Sequence, residues 1–260
     1  MRLTSHNSTL CFYNALRALF LLFISIAVIS PARAQQMHDY RLKIGQFDKL
    51  KVTDDVNVVY RCVPDSTGYV YYRGNERFAD AFIFSLNKGS LRIQVSTEDV
   101  GQPDLPTVYV YSDFLTEVEN SSDFKLTILS PAPCAEFKAI QIGNGAIVVD
   151  DIRATKVTAS LATGNGTLNL SGSCEQAVFR MVGVGMIEAD MLRANSVSCK
   201  ILGNGTIGCW PLERLDVKGI GSTKIYYKGS PKVRKTGGGK LFQLRQSTTD
   251  SNVIDTIAED

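Results

Sequence analysis

Histidine is nearly absent from this chain: two in 260 residues, His6 and His38. A histidine-based triad or histidine metal centre therefore has no material in the body of the protein. No serine sits in a Gly-x-Ser-x-Gly context that would mark a hydrolase nucleophile. A phosphate-cradling loop needs Gly-Lys-Ser/Thr opening a helix. The stretch Lys235-Thr236-Gly237-Gly238-Gly239-Lys240 holds those residue types in another order and reads as a turn. Charge of one sign is also lacking, with 28 basic against 26 acidic residues, so nothing draws nucleic acid electrostatically. Only one long apolar run is found, Ala18 to Ile29, and it is too short to span a bilayer comfortably.

That run has the anatomy of a secretory signal. Arg2 and Arg17 precede it, and Pro31-Ala32-Arg33-Ala34 supplies a small-residue cleavage site. Cleavage after Ala34 is expected. Cys11 precedes the apolar run, so a lipid anchor, which needs its cysteine after that run, is not expected. Without Arg2, Arg17 and Arg33 the 28 basic residues fall to 25 against 26 acidic ones, a net charge of −1. Five cysteines stay in the mature chain: Cys62, Cys134, Cys174, Cys199 and Cys209. Their number is odd and their spacing is no small disulfide framework. Cys199 and Cys209 fall where an apolar alternation puts buried residues, so they read as small core side chains. An exported chain could also oxidise them.

The chain does have glycine, in pairs. Gly143-Asn144-Gly145, Gly164-Asn165-Gly166, Gly183-Val184-Gly185, Gly203-Asn204-Gly205 and Gly219-Ile220-Gly221 follow one another at steps of 21, 19, 20 and 16 residues. Behind them come apolar residues two apart: Ile147/Val149, Leu168/Leu170, Ile187/Ala189, Ile207/Cys209 and Thr223/Ile225, with Thr223 as the break. Alternation with period two marks a strand with one buried face. A turn and strand repeating about every 20 residues marks a solenoid, whose coils bury their apolar faces only by stacking. The arms before the glycines alternate too, with Ile140/Ile142 and Leu161/Thr163 in a different register from Phe179/Met181, Cys199/Ile201 and Leu215/Val217. One extra residue in the earlier turns would reconcile them.

The expected fold is all-β: a single-stranded right-handed parallel β-helix, a β-solenoid, with a less regular, hairpin-rich N-terminal part. The expected order is signal 1–34, a poorly ordered leader 35–46, the strand-rich part 47–133, regular coils 134–245 and a flexible tail 246–260. Within the strand-rich part, Asn87-Lys88-Gly89-Ser90 between Phe82–Leu86 and Leu91–Val95 predicts a hairpin. Val118 to Leu126 resembles a repeat with Asn and Ser in the glycine slots. After Lys228, Gly229-Ser230-Pro231 ends the regular strands, and Gly237 to Phe242 is expected to cover the open end.

The start Phe47-Asp48-Lys49-Leu50-Lys51-Val52, the repeated Gly-x-Gly turns and the ending Tyr226-Tyr227-Lys228-Gly229-Ser230-Pro231-Lys232-Val233 together resemble the GIN domain. That family is named for the head of auto-transporter adhesins in Bacteroidetes-type bacteria. The resemblance spans about Phe47 to Val233 and implies a β-helical fold in a cell-envelope setting, periplasmic or at the cell surface. It brings no catalytic residues and no translocating barrel.

No catalytic residue, cofactor or metal ligand is therefore assigned. Calcium β-rolls place a carboxylate after the glycines, where this chain has Ile147, Leu168, Ile187 and Ile207. The leading expectation is a non-enzymatic exported module that adheres to, or scaffolds, an envelope protein or glycan, without stable membrane insertion. The alternative is a polysaccharide lyase or glycosidase using corner acids of the Asp150/Asp190 type, since glycosidases need two facing carboxylates. Those two would lie two coils, roughly 10 Å, apart. Tyr69, Tyr71, Tyr72, Trp210, Tyr226 and Tyr227 are candidates for stacking on sugar. Asn165-Gly166-Thr167 and Asn204-Gly205-Thr206 match the glycosylation sequon, although the turn already accounts for both asparagines.

Overall fold

The computed structural model describes residues 36–244; the signal expected over 1–34 and the tail over 246–260 lie outside them. Residues 37–244 belong to one compact unit. Its strands are β1 Met37–Lys43, β2 Lys49–Val52, β3 Val58–Arg61, β4 Tyr69–Asn75, β5 Phe82–Asn87, β6 Ser90–Val95, β7 Val108–Tyr111 and β8 Glu117–Asn120. They continue with β9 Lys125–Leu129, β10 Cys134–Gln141, β11 Ala146–Leu161, β12 Asn165–Ile220, β13 Lys224–Lys228, β14 Lys232–Gly237 and β15 Lys240–Leu244.

Two stacks of parallel strands make the solenoid. Each coil contributes one arm to the first stack, a glycine turn, and one arm to the second. β11 shows the geometry: Ala146–Asp150 pairs with β9, and Ala154–Leu161 pairs with β10. The strand thus carries one arm of each stack, with a corner between them. The register slips there between Val149 and Ile152, and Asp151 takes φ +57. β12 runs on in the same way through several coils.

The core fills the space between the stacks. Leu91, Leu50, Val118, Ala139, Ala159 and Phe179 form one inward column of the first stack. Val108, Val58, Leu126, Ile147 and Leu168 form one of the second. All are buried. At about 25 cal/mol per Å² of apolar surface, stacking one coil on the next gives the gain that a lone coil cannot reach.

Five expectations need correction. First, the leader is not unstructured: Met37–Lys43 pairs antiparallel with β4 along its whole length. Second, the N-terminal coils do not stack in chain order. β2 and β3 form a coil sandwiched between the coil of β6 and β7 and the coil of β8 and β9. β5 on β6, and β4 with β1 on β7, then close that end with antiparallel strands. Third, the arm before Gly143 faces inward through Phe137, Ala139 and Gln141, not Ile140 and Ile142. Leu161 pairs with Gln141 at a step of 20, one short of the step between Gly143 and Gly164. The extra residue lies in that single turn. Fourth, Ile225 pairs with Ile207, so Gly221 corresponds to Gly203 and Thr223 to Gly205. Gly219 instead sits in the arm, its α-carbon backed against Ile201. Thr223 is buried, and its hydroxyl donates to the Gly203 carbonyl at 3.2 Å. A side-chain hydrogen bond here fits where glycine otherwise permits close approach.

Fifth, the chain continues past Lys228. β14 pairs with β12, and β15 with β13, so Gly237 to Leu244 adds a further rung instead of covering the end. The hairpin of β5 and β6 forms as expected, with Lys88 at φ 48 and Gly89 at φ 76.

A buried amide pair explains why Gln141 displaces an apolar residue. Asn120 pairs with Gln141 on the next rung, and Asn120 Nδ2 donates to Gln141 Oε1 at 3.0 Å. Asn120 Nδ2 also reaches the Phe124 carbonyl at 2.9 Å, and Gln141 Nε2 the Ile142 carbonyl at 3.1 Å. The two amides thus satisfy each other and add donors to the turn carbonyls.

Burial also predicts an alkaline limit. It pushes Tyr72 up to about 12, pushes Tyr60 well up, and pushes the Cys174 thiol up to about 12. The unfolded chain releases these protons near pH 10 for tyrosine and about 8.5 for cysteine. The folded state therefore holds them more tightly, and that stabilisation is complete below the unfolded values and lost as pH rises toward the folded ones. Thermal melts should be flat from about pH 7 to 8 and fall between about pH 9 and 12. Tyr72→Phe should remove its share of the fall; an unchanged slope would contradict this assignment.

Candidate functional site

The glycine turns line up along one edge. Asn165 N–H donates to Asn144 Oδ1 at 3.2 Å, and Asn144 N–H to Asp123 Oδ1 at 3.3 Å. Further along, Ser222 N–H donates to Asn204 Oδ1 at 2.8 Å. Between these polar runs stands Val184, which has no such group to offer. Val182, Val184, Met186, Leu202 and Ile220 are all exposed around this part of the edge, Ile220 by 74%.

Beside them runs a shallow groove of about 360 Å³, lined by Arg180, Val182, Lys200, Leu202, Lys218 and Ile220 among others. Alternation explains the pattern. Met181 and Ile201 point inward, so their neighbours on either side point out. The coil repeat then places cation over cation and apolar side chain over apolar side chain.

Charge is handled differently at the two ends of the first stack. Toward the N-terminus, cross-strand pairs join Lys51 to Glu119 at 2.5 Å, Lys138 to Glu117 at 3.8 Å and Lys156 to Glu136 at 3.0 Å. The Lys156 ammonium holds the Glu136 carboxyl below its usual range. Arg180, Lys200 and Lys218 make no ion pair among the described residues.

The corner acids of the enzymatic alternative differ in their surroundings. Asp190 Oδ2 is held by Lys228 Nζ at 3.0 Å, and the same ammonium donates to the Asp190 carbonyl at 2.9 Å. Asp150 is exposed, and its neighbour Asp151 pairs with Arg153 at 3.5 Å. Neither Asp150 nor Asp190 lines the groove beside the glycine edge. Among the described residues no cluster of three or more His, Cys, Asp or Glu is placed to hold a metal ion.

The candidate sugar-stacking rings mostly have partners within the chain. Tyr72 is buried, stacked on Tyr40 at 4.8 Å, with its hydroxyl donating to the Ala79 carbonyl at 2.7 Å. Tyr71 donates to Asp39 at 2.8 Å, a bond that raises its pKa, and Arg41 covers the Tyr69 ring at 4.1 Å. Trp210 carries Arg193 at 5.2 Å and Lys228 at 5.4 Å over its ring. Tyr226 stacks on Phe242 at 5.1 Å, and Tyr227 packs against the core.

The five cysteines among the described residues are all free. Cys199 and Cys209 are fully buried core residues; a hydrogen bond between them and their burial push the Cys209 thiol well up. Cys134 and Cys174 flank Ala154 in one column and line a groove of about 400 Å³. Two rungs put them roughly 10 Å apart, beyond the reach of a disulfide. Burial raises both thiols, which keeps them protonated and poorly nucleophilic.

The exposed cationic and apolar residues were missed because attention to periodicity selects inward positions. The available signal was the recurrence of Arg180-Met181-Val182, Lys200-Ile201-Leu202 and Lys218-Gly219-Ile220, a cation and an apolar residue facing out on either side of an inward position on three coils.

Comparison with known proteins agrees with this architecture. No curated protein matches the chain. Among solved structures, a "putative adhesin" of Bacteroides fragilis is 21% identical with a TM-score of 0.72, covering 81% of this chain and 98% of its own. A "putative lipid binding protein" of Parabacteroides distasonis is 20% identical with a TM-score of 0.64, covering 82% and 98%. A "putative adhesin" of Parabacteroides merdae is 20% identical with a TM-score of 0.60, also covering 82% and 98%. At such identities the likeness establishes the shared fold. Residues 46–231 match the family "Putative auto-transporter adhesin, head GIN domain", and the chain belongs to that GIN-domain family.

Proposed function

We propose that this chain is a non-enzymatic exported β-solenoid that binds or scaffolds at the bacterial cell envelope. The single observation that carries this reading is the division of its outer surface. Acids and bases pair off across the N-terminal rungs, whereas Arg180, Lys200 and Lys218 on the C-terminal rungs make no ion pair among the described residues and stand beside exposed apolar side chains. An apolar patch of this kind marks an interaction surface. Family membership supports an adhesive role. Among the described residues no helix is long and apolar enough to cross a membrane, and the proposed signal over 1–34 would deliver the chain through export.

Fractionation of the source bacterium, with sequencing of the protein's N-terminus, tests export. The expected product lies in the envelope or outside the cell and begins at Gln35. A full-length cytosolic protein would overturn the reading. Incubation with polysaccharides tests the non-enzymatic part: no new reducing or unsaturated ends are expected. Release of such ends, lost in Asp190→Asn or Asp150→Asn, would establish the enzymatic alternative.

A further inference from the structure

We infer that the glycine edge around Val182, Leu202 and Ile220, with the adjoining cations, docks on the surface of an anionic lipid membrane. The inference rests on the envelope reading above and names the partner of that surface.

Three observations converge on it. The apolar side chains are contiguous and protrude: Leu202 is 58% and Ile220 74% exposed. Nothing in the fold requires them to be apolar: on the preceding coil the residue before the first glycine of the turn is Thr163, which is likewise exposed. Cations stand on both sides. Arg180, Lys200 and Lys218 line the groove on the first stack, and Lys224, paired with Thr206 at the start of the second-stack arm, is exposed across the turn. The surrounding face is basic as well. Arg214 pairs with Lys232 and Asp216 with Arg234 across the last rungs, which leaves Asp216 as the one acid among these four.

This composition selects an anionic membrane over a soluble polyanion or a single enclosed lipid. Basic residues alone would suffice for a polyanion, and exposed valine, methionine, leucine and isoleucine add nothing to binding it. At a membrane they enter the boundary between headgroups and acyl chains, while flanking lysine and arginine engage the lipid phosphates. The groove is too shallow to enclose an acyl chain. The apolar side chains beside it are instead exposed to any surface laid against them. Each rung adds one cation and one apolar group about 4.8 Å from the last, so the row engages several headgroups at once.

Co-sedimentation with vesicles tests this, using the chain from Gln35 onward. Vesicles of phosphatidylcholine with about a third phosphatidylglycerol are expected to bind it, and pure phosphatidylcholine vesicles are not. Lys200→Glu/Lys218→Glu should lower binding at least about tenfold, with added salt acting in the same direction. Leu202→Ser/Ile220→Ser should also lower it by roughly tenfold. All four positions are exposed, so an unchanged circular-dichroism spectrum and melt should accompany both losses. Failure to bind anionic vesicles would overturn the inference. So would binding that is insensitive to Leu202→Ser/Ile220→Ser and is competed away by a soluble acidic polysaccharide, the mark of a polyanion site. An envelope-located protein that ignores vesicles would sink this inference alone; a cytosolic protein would sink the envelope reading beneath it.

Discussion

Replacing Gly221 by valine is expected to destabilise the protein by on the order of 3 kcal/mol, lowering the melting temperature by about 10 °C. Gly221 has φ +124, a conformation that L side chains rarely adopt. A β-carbon there would also fall inside van der Waals contact of the Gly203 carbonyl oxygen on the rung below. That neighbour is backbone and cannot swing aside, so relief requires parting two rungs. Gly208 supplies the contrast. Its φ is ordinary, and the nearest heavy atom to an added β-carbon is Asp190 Cβ at 3.5 Å. Gly208→Ala should stay within about 0.5 kcal/mol of the parent. Equal melting temperatures for the two variants would show that the glycine edge is not packed rung against rung.

Ile187→Asp should be more damaging still, leaving no cooperative transition at room temperature. Ile187 is fully buried. Its carboxylate replacement would have no cationic partner between the stacks, and an unpaired buried group of this kind costs at least about 4 kcal/mol, a large part of a domain's total stability. Ile187→Val should cost only about 1 kcal/mol, because the column persists with one methyl group fewer. Circular dichroism and denaturant titration separate these outcomes. A folded Ile187→Asp with an unchanged midpoint would mean that the residue does not face the core.

What was readable from the sequence follows from how each part is specified. Coils from Gly143 to Cys209 are written locally: two glycines, then apolar residues at fixed distances. The frame at Gly219 misled because three glycine-like slots, Gly219, Gly221 and Thr223, stand two apart. Only pairing of Ile225 with Ile207 selects among them. Gln141 was unreadable as a core residue because its burial depends on Asn120, a partner 21 residues away. The N-terminal coil order is a matter of long-range pairing. Nothing near Leu50 announces that it lies between Leu91 and Val118. The leader became a strand because the exposed edge of β4 needed a partner.

For the candidate surface the situation is reversed. Its residues recur at the coil spacing and are fully visible in the sequence, but recurrence of outward residues gains meaning only once the rungs are aligned. Arg180, Lys200 and Lys218 then become a column instead of three scattered cations.

Alignment of the glycine edge into a single ladder is the central claim, and site-directed cross-linking tests it most directly. Asn144 and Asn165 sit on adjacent rungs, joined by the 3.2 Å hydrogen bond from Asn165 N–H to Asn144 Oδ1; Asn144 and Asn204 are three rungs, roughly 14 Å, apart. Under mild oxidation, Asn144→Cys/Asn165→Cys should form the corresponding disulfide, identified by mass mapping of non-reduced peptides, and Asn144→Cys/Asn204→Cys should not. The reverse pattern, or equal cross-linking of both pairs, would contradict the stacked solenoid.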